Sequence, residues 1–194
     1  MFNMVICVSI RDKVELKREN LTAQVDKLVL PCQAVYKTSD ECPGNLKWNS
    51  TATTIISNGA GSALNQLSFP EGLFIEHQTQ ILYIGDVLNN RVQKYYPNGQ
   101  ILTAVGQPNG KDGSTSDKLD GPRDIFADEE ENVYVSDWSN QRIQYWKKNA
   151  KSGRTVAGIG TSGSTLNQFS YPSSIAVDSK KNIIVADTQN QRIT

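Results

Sequence analysis

The feature that most constrains this chain is a repeat of itself. Pro70-Glu-Gly-Leu-Phe-Ile…Ile81-Leu-Tyr-Ile-Gly-Asp86-Val-Leu-Asn-Asn-Arg91 lines up with Pro122-Arg-Asp-Ile-Phe-Ala…Asn132-Val-Tyr-Val-Ser-Asp137-Trp-Ser-Asn-Gln-Arg142. A third copy runs Pro172-Ser-Ser-Ile-Ala-Val…Asn182-Ile-Ile-Val-Ala-Asp187-Thr-Gln-Asn-Gln-Arg192. The arginines recur after 51 and then 50 residues, and near-identical lead-ins, Leu64–Phe69 and Leu166–Tyr171, precede the first and third prolines. A fixed period of this length marks an array of one structural unit stacked on itself.

Each unit reads as four short strands. In the first they are Leu73–Glu76, Ile81–Gly85, Arg91–Tyr96 and Ile101–Val105, rich in Ile, Val, Tyr and Leu and punctuated by Gly, Pro and Asn. No stretch after Trp48 has a helical period, which excludes helical solenoids. Four antiparallel strands per repeat imply propeller blades, so the fold class is all-β.

The proline-led first strand, the apolar strand ending in Asp, and the following Asn and Arg resemble the NHL-repeat family. The matching residues are Asp86, Asn89 and Arg91, then Asp137, Asn140 and Arg142, then Asp187, Asn190 and Arg192. The resemblance covers about Leu46 to Thr194 and implies a β-propeller segment of about three four-stranded NHL blades, an incomplete ring. Cys42-Pro43…Trp48 also resembles the lead-in of uncharacterised extracellular or membrane-associated NHL proteins.

The expected organisation is an N-terminal segment over 1–45 and a propeller segment over 46–194. The latter divides into a half blade 46–59, blades 60–106 and 107–158, and a partial blade 159–194. Leu46–Asn49 and Thr53–Ser57 are expected to be the last two strands of the half blade. Closed propellers have four to eight blades, so the chain is expected to be part of a longer propeller. An alternative is exchange of half blades between two copies, giving a six-bladed ring. Within 1–45, Val14, Leu21, Val25 and Leu28 admit a short amphipathic helix stopped before Pro31.

Composition narrows the function. The 194 residues carry 20 Lys+Arg and 20 Asp+Glu, balanced in both parts: seven bases and six acids before residue 51, thirteen and fourteen after it. Nucleic acid is therefore not the expected partner. No apolar run approaches the ~20 residues that span a bilayer. Cys7, Cys32 and Cys42 form no C-x-x-C pair; Cys32 and Cys42 are spaced for a bridge, and Asn20 and Asn49 head N-x-[ST] sequons. These features leave extracellular and cytoplasmic settings both open.

Enzyme chemistry lacks its parts. Propeller lyases that resemble NHL domains bind zinc through several histidines, whereas this chain has only His77, in the polar loop Glu76–Gln80. The Gly-rich stretches Gly59–Gly61, Gly106–Gly113 and Gly158–Gly160 have neither the lysine nor the helix of a phosphate loop. Neither a metal nor another cofactor is expected, and no catalytic residue is assigned. The recurring Asp, Asn and Arg read as a hairpin clamp, since a site on a pseudo-symmetric ring draws unlike residues from different blades. Asp128–Glu131 reads as a solvated hairpin tip.

What varies between repeats marks a recognition surface. The varying positions are the one after Pro (Glu71, Arg123, Ser173) and the pair after Asp (Val87-Leu88, Trp138-Ser139, Thr188-Gln189). The candidate binding residues are Trp138, Glu71, Arg123, Ser173, Leu88 and Gln189. Trp138 reads equally as an exposed anchor or as packing on a neighbouring blade. The expected function is non-catalytic recognition of a protein or a small extracellular ligand, with self-association through open blade edges as a further option. Two alternatives follow from the resemblance: RNA binding, as in tripartite-motif NHL domains, and part of a propeller lyase.

Overall fold

Three antiparallel sheets follow one another along the chain in a computed structural model that describes residues 51–56 and 58–194. The first contains β1 (Pro70–Ile75), β2 (Leu82–Asp86), β3 (Arg91–Tyr95) and β4 (Ile101–Gly106). The second contains β5 (Pro122–Ala127), β6 (Val133–Asp137), β7 (Arg142–Trp146) and β8 (Arg154–Ala157). The third contains β9 (Pro172–Val177), β10 (Ile183–Asp187) and β11 (Arg192–Ile193). Strands pair in chain order within each sheet, as hairpins require. Thr53–Thr194 is one unit.

Two apolar seams hold the sheets face to face. Tyr83, Val92 and Val105 of the first sheet meet Ile125, Val133, Val135 and Trp146 of the second. Ile143 and Tyr134 on the other face of the second sheet meet Ile175 and Val185 of the third. The second sheet is thus buried on both faces, and all five residues of β6 are buried. Four rings, Phe74, Phe126, Tyr134 and Tyr145, run from the first sheet into the second at centroid spacings of 5.1, 5.9 and 4.9 Å. The first strands lie side by side from sheet to sheet. At Gly72 a Cβ would sit 2.3 Å from the Arg123 carbonyl oxygen, so only glycine admits β5 at that distance.

Successive, similarly built sheets stacked in this way are the blades of a β-propeller. Two expectations differ from the structure. Residues 53–56 form no strand. Their resemblance to β4 and β8 lies in composition, and among the described residues no strand pairs with them. Ser57 and Leu46–Asn49 lie outside the described residues, as do the three cysteines, the asparagines of both sequons and the proposed N-terminal helix.

The acidic tip is not uniformly solvated either. Glu129 and Glu130 are exposed, but Asp128 is buried and Glu131 nearly so. Glu131 accepts from Lys94 Nζ at 2.9 Å and Tyr96 Oη at 3.0 Å in the first sheet, and pairs with Lys148 at 2.5 Å. Asp128 accepts from Lys181 Nζ of the third sheet at 2.9 Å. The alternation of two buried and two exposed acids follows the tight turn, which aims its two ends into the seams.

Candidate functional site

The turn between the second and third strands of each sheet carries the repeated clamp. Asp86 Oδ1 accepts from the Ser68 N–H at 2.7 Å, and Asp86 Oδ2 accepts from Arg91 Nε at 2.8 Å. Asn89 Nδ2 donates to Asp86 and to the Gly61 carbonyl at 2.8 Å. The Arg91 guanidinium then donates to the carbonyls of Ser62, Ala63, Gln66 and Pro108. Asp137, Asn140 and Arg142 hold the loop Gly113–Asp120 in the same way. Asp187, Asn190 and Arg192 hold Gly163–Ser170. Each clamp uses its charged groups up on a loop, leaving little to offer a ligand. Burial, the largest influence on Asp137, raises its carboxyl above the ordinary range against hydrogen bonds from the Asp120 N–H, Arg142 and Asn140.

Above these clamps, at the same end of the strands, the non-repeating residues meet. Arg123 makes an ion pair with Glu71 of the preceding blade through Nη1. Its guanidinium carbon lies 4.6 Å from the centroid of the Trp138 ring, whose other neighbour is Tyr171 at 4.4 Å. Glu71, Arg123, Trp138 and Tyr171 therefore form one row across three blades. The pair is about 30% exposed (31% and 29%), and Trp138 is half-buried. Arg123 Nε is buried with no hydrogen-bond partner among the described residues.

The other three candidates stand apart from this row. Ser173 shares a hydrogen bond with Thr188. Leu88 is 64% exposed, and its N–H donates to the Ser68 carbonyl at 3.1 Å. Gln189 is exposed, its N–H donating to the Ser170 carbonyl at 3.0 Å. All lie at this end of the blades, but no contact joins them to Trp138. His77 is exposed at the opposite end, in the β1–β2 turn.

Several residues of this face are not marked by the repeat. Tyr171 takes a left-handed conformation (φ 53) immediately before Pro172, and its N–H donates to Gln141 Oε1 at 2.6 Å. In the preceding blade the Gly121 N–H donates to Asn90 Oδ1 at 3.0 Å. Asn90 and Gln141 also have positive φ, at 50 and 55, as residues that close the tight turn. Asp124 reaches the third blade through the Ser174 hydroxyl and the Ile175 N–H. The legible signal for Asn90 and Gln141 is an amide side chain at the same turn position in successive repeats.

The model of the NHL repeat matches residues 169–194, which contain the Asp187, Asn190 and Arg192 clamp. A chicken (Gallus gallus) protein, NHL repeat-containing protein 2, is 30% identical over 119 residues, 60% of this chain. The chain carries an NHL repeat and is similar to an NHL-repeat protein. It spans only 16% of that relative's length.

Solved structures agree on the fold of this chain. A protein of unknown function from Bacteroides thetaiotaomicron superimposes with a TM-score of 0.53 at 20% identity, covering 64% of this chain and 34% of that one. An auxiliary nutrient binding protein from the same organism gives 0.51 at 20% identity, covering 64% and 35%. Likeness at that identity establishes architecture alone. Among the described residues no helix is long and apolar enough to cross a membrane.

Proposed function

We propose that this chain is a non-catalytic NHL propeller scaffold that recognises a protein or ligand through the face carrying Glu71, Arg123 and Trp138. The observation that carries the reading is the contrast within one turn. Asp137, Asn140 and Arg142 are spent on the fold, while Trp138, set among them, differs from its counterparts Val87 and Thr188 and presents an indole beside an arginine. An aromatic ring flanked by a cation is a typical anchor for a partner. The guanidinium is paired with Glu71, so the row offers hydrogen bonding and ring surface rather than net positive charge. That supports a protein or a neutral or mixed ligand over RNA, whose backbone requires unpaired cations. That one structural relative is an auxiliary nutrient binding protein is in keeping with ligand recognition on such a fold.

The test places a photoreactive amino acid at Leu88, on this face, or at Glu129, on the opposite one. Cross-linked species are then identified by mass spectrometry in the parent, Trp138→Ala and Arg123→Ala proteins. A species captured from position 88, and lost in both variants at unchanged melting temperature, supports the reading. Capture indifferent to Trp138 and Arg123, or turnover of a substrate by the purified protein, overturns it.

A further inference from the structure

Averaged over residues 51–194 the charges balance, yet between Asp137 and Asp178 there is no acidic residue and there are five bases. Arg142 is spent on its clamp and Arg154 lies over the Tyr145 ring at 4.9 Å. Lys147 and Lys151 remain, with Lys148 paired to Glu131, all three exposed on the β7–β8 turn at the end of the blade away from Trp138.

This turn borders a groove of about 420 Å³ between the first and second blades, lined by Lys94, Leu102, Ala104, Glu131, Lys147 and Lys148 among others. Lys94 is buried and held by Glu131 at 2.9 Å, with Tyr96 alongside. Burial alone would lower its pKa, but hydrogen bonding to Tyr96 and Glu131 outweighs it, and the ammonium is kept firmly charged. Glu131 neutralises one of the three lysines, so the groove has a net positive charge. Leu102 and Ala104 belong to β4, the last strand of its sheet, whose outer edge pairs with no other described strand.

We propose that this groove is a docking site for an extended acidic peptide segment of a partner protein, added along the β4 edge. The chemistry fits a strand. Backbone amides of the segment would pair with β4, and because side chains alternate, every second side chain would face the groove, where acids meet Lys147 and Lys148 beside the apolar surface of Leu102 and Ala104. A single-stranded nucleic acid fits less well, since it brings no amides for the edge and calls for free aromatic platforms. The nearest rings are engaged: Tyr96 donates to Glu131, and Tyr145 is covered by Arg154. The site is separate from the Trp138 face and does not depend on it.

The experiment measures fluorescence anisotropy of two labelled peptides, Glu-Leu-Glu-Val-Glu-Leu-Glu and its counterpart with Gln at every Glu, against the full 194-residue chain. The acidic peptide is expected to bind at least about tenfold more tightly at low salt. The double variant K147E/K148E is expected to abolish that preference, and Leu102→Asp to weaken both peptides, each with a melting temperature within a few degrees of the parent. Charge reversal at Lys180, in the third sheet, is the control and is expected to change neither affinity. Equal binding of the two peptides, indifference to K147E/K148E, or stronger competition by oligodeoxythymidylate than by unlabelled acidic peptide would each overturn the proposal.

Discussion

The second and third blades carry the same clamp in different surroundings. Asp137 and Arg142 have 0% and 9% of their side chains exposed, whereas Asp187 and Arg192 have 0% and 25%. Ile143 and its counterpart Ile193, one residue beyond the arginine in each case, are 0% and 71% exposed. The local hydrogen bonds are nearly identical, down to the 2.8 Å Arg Nε to Asp Oδ2 distance. A repeat therefore specifies its own turn, while a packed sheet on each side sets how much that turn contributes to stability.

The largest expected contrast is in the clamp arginines. Arg142→Ala leaves the buried Asp137 carboxylate without its counter-charge and three loop carbonyls without this donor, and is expected to cost about 3–5 kcal/mol. Arg192→Ala, where water can replace the guanidinium, is expected to cost about 1 kcal/mol. Urea titration of both variants measures the difference; equal losses would show that burial by neighbouring blades does not govern the clamp.

Ile143→Ala comes next, expected to cost about 2–4 kcal/mol because it opens a cavity in the seam with the third blade. Ile193→Ala, on an exposed position, is expected to stay within about 0.5 kcal/mol. A comparable loss at Ile193 would reveal a covering surface on the third blade.

Acid should separate the two inter-blade ion pairs. For Glu131, burial raises the carboxyl, but hydrogen bonds from Lys148, Lys94 and Tyr96 outweigh it and hold the group below its ordinary range. For Asp128, burial is likewise outweighed, by hydrogen bonds from Lys181 and Asn132. A carboxyl with a depressed folded-state pKa contributes stability above its unfolded value and loses it as pH falls through the folded one. The melting temperature is expected to be level above about pH 5 and to fall below about pH 4. Glu131→Gln should flatten that fall more than Asp128→Asn, because Lys94 is buried while Lys181 is half-exposed. Thermal melts of the three proteins across the range check this; an unchanged acid limb in Glu131→Gln would refute it.

A small effect is also expected at the surface pair of the recognition face. Glu71→Gln should cost less than about 1 kcal/mol, as partly exposed ion pairs do. Thermal denaturation measures it, and a larger loss would make Glu71 a structural strut of the first two blades.

The clamp was readable because Asp, Asn and Arg act within their own turn, on a loop that recurs at the same offset. Glu71, Arg123 and Trp138 were readable as the positions where repeats differ, and they do meet. Tyr171 and Asp124 were not, because their roles depend on which side chain the next blade presents. Asp128 and Glu131 were misjudged for the same reason: a run of four acids looks solvated until the seams on either side are known.

By itself, the sequence determined the period, the four strands of each of the first two blades, the turn chemistry and the all-β class, since these follow from residue type and spacing over a few positions. The tertiary structure decided which charges are buried, which clamps matter most, and where a groove with an open strand edge lies beside three lysines. Those properties arise between blades about fifty residues apart, where the distance between side chains is set by packing rather than by chain order.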